Sequence, residues 1–134
     1  MTDTFSPGEV AEQSGFSLDT LRYYERIGLL DRVERTSNGH RRFGKGDLDW
    51  LSVLRCLRET GMPIAEMRRY AESARAGDET LTERLKLLVE HEARVEQHIA
   101  DLRAQQEHLR GKIDWYRSQL TARHRDVADS SLSA

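Results

Sequence analysis

Apolar positions fall into two regimes along this chain. Over the first 76 residues they come in short bursts set apart by glycine and capping residues; from Leu81 onward they recur every seven residues. In the first regime Ser6, Pro7 and Glu9 form a helix start, with serine as cap, proline at the first helical position and the Ser-x-x-Glu spacing of a capping box. Val10 and Ala11 supply an apolar face, and Gly15 ends the helix. Ser17 then caps a second helix, Leu18 to Ile27, closed by Gly28. The link Ser14-Gly15-Phe16-Ser17 is the short glycine-containing turn of a helix-turn-helix. Leu29 to Phe43 is too short and polar for a helix, and Asn38-Gly39 within it predicts a small two-stranded wing. A third helix runs from about Asp47 to Thr60 on Leu48, Leu51, Leu54 and Leu57, with Gly61 as its stop. Pro63 starts a fourth, with Ile64, Met67 and Tyr70 on one face, and Ala76-Gly77-Asp78 closes an N-terminal domain at residue 76.

The second regime is a heptad pattern. Leu81, Leu88, Val95, Leu102, Leu109 and Tyr116 lie seven apart; Leu85, Glu92, Ile99, Gln106, Ile113 and Leu120 interleave four residues on. Ten of these twelve positions are apolar, which predicts a coiled coil over residues 77–120. Its helix would be roughly 60 Å long. A stripe of that length exceeds what the preceding small domain can cover, so the pattern predicts a homodimer, against the alternative of a helix folded back on its own domain. Glu92 and Gln106 inside the seam would set register and orientation at some cost in stability. The short polar segment 121–134 is expected to be a disordered tail.

A chain of 134 residues holds one small domain plus an extension. The net charge of −2 makes no global case for nucleic acid. Locally the balance changes: from Arg22 to Lys45 there are seven basic residues against three acidic ones, an excess of four on the segment that carries the second helix and the wing. No apolar run approaches membrane-span length and the polar start is unlike a signal peptide. The single cysteine suits a reducing cytoplasm. No paired carboxylate, phosphate loop or nucleophile–base pair points to an enzyme, and nothing calls for a cofactor.

Leu21-Arg22-Tyr23-Tyr24-Glu25, Gly28-Leu29-Leu30, Asn38-Gly39-x-Arg41 and Leu57-Arg58-x-x-Gly61-Met62 together resemble the mercury-resistance regulator (MerR) family of bacterial transcription regulators. The likeness covers about residues 6–76 and extends through the coiled coil in architecture. It implies an all-α chain with a small β wing: a winged helix-turn-helix domain, then a long dimerisation helix forming an antiparallel coiled coil. It also implies double-stranded promoter DNA as partner, with RNA polymerase engaged indirectly. In this family an activated dimer bends and untwists a promoter whose spacer is too long, and protein–phosphate contacts offset the deformation cost. His40 and Phe43 depart from the family, standing where tyrosines are common; Phe43 lacks the hydroxyl for a phosphate contact, whereas His40 can still donate.

Candidate contacts follow. Arg22 can reach a base edge or a phosphate through its fork of donors, and Thr20 and Tyr23 can add hydroxyl contacts. Tyr24, next to an outward-facing neighbour, is expected between helix and wing. His40, Arg41 and Arg42 at the wing are phosphate candidates. Arg58 corresponds by resemblance to a backbone-clamping position, with Arg55 or Arg69 as possible helpers. Cys56 is the sensor candidate: its surroundings, Cys56 to Pro63, resemble the aldehyde- and thiol-stress-responsive branch, and the flanking Arg55 and Arg58 would favour a thiolate. The alternative is a small buried cysteine in an apolar face. Metal sensing is disfavoured, because no cysteines border the coiled coil and His91 and His98 are expected to be solvated. Two other readings remain open: a DNA-binding regulator without thiol chemistry, sensing another ligand or acting constitutively, and a coiled-coil adaptor whose winged domain binds protein.

Overall fold

The computed structural model describes residues 4–30, 34–35 and 41–132. Strand β1 (Thr4–Phe5) leads into helices α1 (Pro7–Ser14) and α2 (Leu18–Arg26), then β2 (Glu34–Arg35), β3 (Arg41–Gly44), α3 (Lys45–Glu59), α4 (Ile64–Arg75), a 3-10 turn (Asp78–Thr80) and α5 (Leu81–Leu132). The strands form one antiparallel sheet in the order β1-β3-β2. The β2–β3 pair is the expected wing, with Glu34 opposite Arg42 and Arg35 opposite Arg41. The Asn38-Gly39 turn lies outside the described residues. β1 adds to the other edge, with Phe5 opposite Phe43. A two-residue strand has no sequence signature of its own; it exists because β3 offers it a ladder.

The capping residues act locally as their spacing predicts. The amide of Glu9 donates to Ser6 Oγ at 3.2 Å, and Glu9 Oε1 accepts from the Ser6 amide at 3.3 Å. Ser17 Oγ accepts from the Thr20 amide at 3.1 Å and so opens α2. Gly28, at φ +87°, lets the chain reverse so that the amides of Leu29 and Leu30 both donate to the Tyr24 carbonyl. α3 begins at Lys45, two residues before Asp47; that carboxylate reaches back to accept from the Gly44 amide at 2.8 Å.

Two compact units result, residues 1–92 and 93–134. The core of the first contains Val10, Phe16, Leu21, Tyr24, Phe43, Leu51, Leu54, Leu57 and Met67, all buried. Each large apolar side chain removed from water contributes about 1.5–3 kcal/mol. Phe43 is fully buried, so this departure from tyrosine serves packing. Tyr24 packs edge-to-face on Phe16, with ring centroids 5.3 Å apart, within the same buried cluster as Phe43 of the wing strand β3. Ile64 is exposed at the first turn of α4, unlike Met67 and Tyr70 of the same helix.

The break at Gly77 is real, with φ +88°, yet the first turns of α5 belong to the N-terminal unit. Leu88 packs on its core and is half-buried, although its heptad position nominates it for dimerisation. α5 also passes Leu120 and continues to Leu132, where a disordered tail is expected. No glycine or proline interrupts residues 121–132, so nothing stops the helix once it has formed.

Gly15 carries a stringent local demand. It sits at φ +78°, and a Cβ built there would lie 2.3 Å from Arg55 Nη1. Gly15→Ala is expected to destabilise the chain by about 1–3 kcal/mol, read as a lower midpoint in thermal or urea unfolding, with Gly8→Ala as the near-neutral control.

Candidate nucleic-acid interface

α2 presents two unlike faces. Leu21 and Tyr24 point into the core, while Arg22, Tyr23 and Arg26 are exposed. The Arg26 guanidinium lies over the Tyr23 ring at 5.5 Å, which stiffens both side chains without removing them from water. Arg22 Nη1 is 3.9 Å from Asp19 Oδ1, a loose and well-solvated pair. Thr20 is half-buried and its Oγ1 accepts from Ser17 Oγ at 2.9 Å, so it serves the helix start as well as any DNA contact. Arg42 is exposed on β3, and the Arg41 backbone pairs with Arg35. His40 lies outside the described residues.

α3 holds the helix-turn-helix from behind. Arg55 Nη1 donates to the Ser14 carbonyl at 3.2 Å, while its Nε bonds Glu59 at 2.8 Å. Arg58 is exposed with its guanidinium 5.7 Å from the centre of the Phe16 ring. The fold therefore brings Arg58 beside the turn between α1 and α2, although 42 positions separate it from Phe16. Arg69 is exposed on α4 with nothing to single it out. The far end of α2 is also tied down. Trp50 Nε1 donates to the Leu29 carbonyl at 2.7 Å and its ring stacks on Tyr70, centroids 5.6 Å apart; Arg75 donates to the Gly28 carbonyl. The sequence signal for Trp50 was only an indole N–H on a half-apolar helix face, a group that needs a partner when it packs. Nothing in the sequence names that partner.

Cys56 is exposed on α3, against the alternative of a cysteine buried in the apolar face. Of the arginines meant to attend it, Arg55 is engaged by Glu59 and Ser14, and Arg58 lies over Phe16. The Cys56 carbonyl accepts from Thr60 Oγ1 at 2.7 Å, and the same hydroxyl lies 2.7 Å from His91 Nε2 on α5. His91 is buried, contrary to its expected place on a solvated flank; His98 is exposed. The Thr60 proton has two carbonyls to serve, those of Cys56 and Leu57, so at His91 the hydroxyl accepts and Nε2 carries hydrogen. Nδ1 is then a buried acceptor without a hydrogen-bond partner among the described residues. Among those residues no group of three or more His, Cys, Asp or Glu could hold a metal ion. No described helix is long and apolar enough to cross a membrane.

Among the described residues of their own unit, little covers the heptad positions of α5 beyond residue 92. Ile99, Leu102, Leu109, Ile113, Tyr116 and Leu120 are exposed, and Val95 is half-buried. Within the first unit Leu81 and Leu85 are exposed as well.

The family model described as MerR HTH family regulatory protein matches residues 5–74, and a second, described as MerR, DNA binding, matches residues 48–112. This chain belongs to the MerR family. Among its relatives, an HTH-type transcriptional regulator of Haemophilus influenzae is 41% identical over 113 residues, 84% of each chain. A crystal structure of HiNmlR, a MerR family regulator lacking the sensor domain and bound to promoter DNA, superposes with a TM-score of 0.80 at 40% identity, covering 87% of this chain and 92% of that one. A putative MerR family regulator from Listeria monocytogenes superposes with a TM-score of 0.86 at 33% identity, covering 96% and 98%. The chain is thus a MerR-family DNA-binding transcriptional regulator, all-helical apart from its small sheet, and its relatives are regulators rather than enzymes.

Thr60→Val would leave the His91 Nε2–H buried without its acceptor and is expected to cost about 1–3 kcal/mol in urea unfolding; Thr60→Ser should keep most of that stability. Equal losses for valine and serine would remove the hydrogen bond from the account.

Proposed function

We propose that the chain acts as a homodimer, joined antiparallel through α5, that grips a pseudo-palindromic promoter and distorts it so that RNA polymerase can use an overlong spacer. The observation that carries this reading is the pairing of an exposed Arg22–Tyr23 face on α2 with exposed Arg42 and Arg58 on neighbouring elements of one unit. The HiNmlR complex with promoter DNA supports it, at 40% identity over most of both chains. In this scheme Thr20, Arg22 and Tyr23 face the major groove, and His40, Arg41, Arg42 and Arg58 hold phosphates. Residues 1–76 bind DNA and residues 77–120 dimerise through Leu81, Leu85, Leu88, Val95, Ile99, Leu102, Leu109, Ile113, Tyr116 and Leu120. The dimer's two-fold axis implies two half-sites. It acts in the cytoplasm, on the nucleoid.

Phosphate grips can be separated from base readers by salt. Arg42→Ala and Arg58→Ala are each expected to weaken binding by similar factors on cognate and unrelated duplexes. Each should flatten the slope of log K against log salt by about 0.9 per lost phosphate, so about twice that in a dimer. An unchanged slope would take that arginine off the DNA.

The exposure of Cys56 favours a thiol-responsive regulator over one that senses another ligand or acts constitutively. A small aldehyde or another electrophile would add to its sulfur, and the change would reach DNA through α3, which also holds Arg58 and the tie to Ser14. Cys56→Ser is expected to bind the operator with unchanged affinity and to lose transcriptional induction by a reactive aldehyde. Normal induction of that variant, or an unmodified wild-type mass after aldehyde treatment, would leave the ligand-sensing or constitutive reading.

A further inference from the structure

Among the described residues before α5, three large apolar or aromatic side chains are exposed: Leu18, Tyr23 and Ile64. Leu18 opens α2 and is 40% exposed, while Leu21, one turn on, is 1% exposed. Its neighbour Asp19 keeps 95% of its side chain in solvent, and its ion pair with Arg22 is long at 3.9 Å. Arginines and hydroxyls on this face suit phosphate. A leucine gains nothing there, and a carboxylate is repelled. An acid in the first turn of a helix does favour the helix itself, whereas Leu18, at 40% exposure, keeps part of its side chain open at the start of α2.

The major groove offers a complement to each. Thymine supplies an apolar group at the groove floor, its 5-methyl, and cytosine presents an N4 amino donor that a carboxylate can accept from. In helix-turn-helix proteins the N-terminal residues of the recognition helix reach base edges. We propose that Leu18 and Asp19 are specificity-determining residues, Leu18 packing on a thymine methyl in each half-site and Asp19 accepting from the amino group of a nearby cytosine. The Asp19 carboxylate also faces Arg22, so the pair can present an acceptor and a fork of donors side by side to consecutive bases. The proposal rests on α2 lying in the major groove.

The test uses the full chain. Selection from a pool of duplexes with a randomised core gives the preferred site, and fluorescence anisotropy then measures binding to that duplex with each thymine replaced in turn by deoxyuridine, which lacks only the methyl. One thymine per half-site is expected to matter, its replacement weakening wild-type binding roughly fourfold, the effect of one buried methyl. Leu18→Ala should bind the thymine and deoxyuridine duplexes equally, while Leu18→Met keeps the discrimination. Both variants should still unfold in one cooperative transition near the wild-type midpoint, because Leu18 is only partly covered. Repeating the selection with Asp19→Ala should erase one cytosine preference per half-site. Indifference of the wild type to every deoxyuridine, or equal discrimination by Leu18→Ala, would overturn the role of Leu18; an unchanged cytosine preference in Asp19→Ala would overturn that of Asp19. An unchanged selected site in Arg22→Ala and Tyr23→Ala would instead show that α2 is not in the groove, and the proposal would fall with that reading.

Discussion

Burial of one side of α2 is the constraint on which the rest of the N-terminal unit depends. Leu21 and Tyr24 leave water against Phe16, Leu51 and Leu54, and each such residue contributes on the order of 1.5–3 kcal/mol. Their burial fixes the rotation of a nine-residue helix that is too short to be stable alone. Once the rotation is fixed, Arg22, Tyr23 and Arg26 have no choice but to face solvent. A rotation of one residue, about 100°, would drive a guanidinium into the core, where an unpaired charge is prohibitively costly.

Packing fixes rotation, whereas hydrogen bonds fix the two ends. At the start, Ser17 Oγ accepts from the Thr20 amide, just after Gly15 has reversed the chain and left the Ser14 carbonyl at the end of α1 to Arg55; at the finish, Gly28 reverses the chain again and Arg75 and Trp50 take the Gly28 and Leu29 carbonyls. Helix ends leave backbone groups unsatisfied, and these donors meet that need while joining the helix-turn-helix to α3 and α4. The exposed Arg22–Tyr23 surface is therefore stiff for a structural reason. Displacing α3, the helix with Cys56, pulls on the end of α1 through Arg55 and on the residues just past α2 through Trp50.

α5 depends on a different kind of completion. Up to Glu92 its inward side is served by its own unit through Leu88 and His91. Beyond that, a stripe of leucine, isoleucine and tyrosine stays in water within its own unit, an arrangement that a second helix with the same heptads would relieve. His91 marks the change of regime, the one described histidine that is buried, held by Thr60 at the end of α3.

Local chemistry was legible in the sequence. Ser6-x-x-Glu9, Ser17, Gly15, Gly28, Gly61 and Gly77 gave helix ends because capping depends on residues within four positions of one another. The heptads gave α5 up to Leu120 for the same reason, and polar composition hid the last turns because it says nothing against a helix already under way. The face of α2 and the spaced motifs gave DNA as partner. Only the tertiary structure decided which polar groups meet across the unit: that Trp50 serves Leu29, that Arg55 serves Ser14, that Arg58 reaches Phe16, that β1 finds an edge, and that His91 goes inside while Cys56 stays out. Those pairs lie 21 to 42 positions apart where both partners are polar or aromatic. Sequence determines what each segment can form by itself; the partner of a buried donor is settled only when the core has closed and water is no longer available to it.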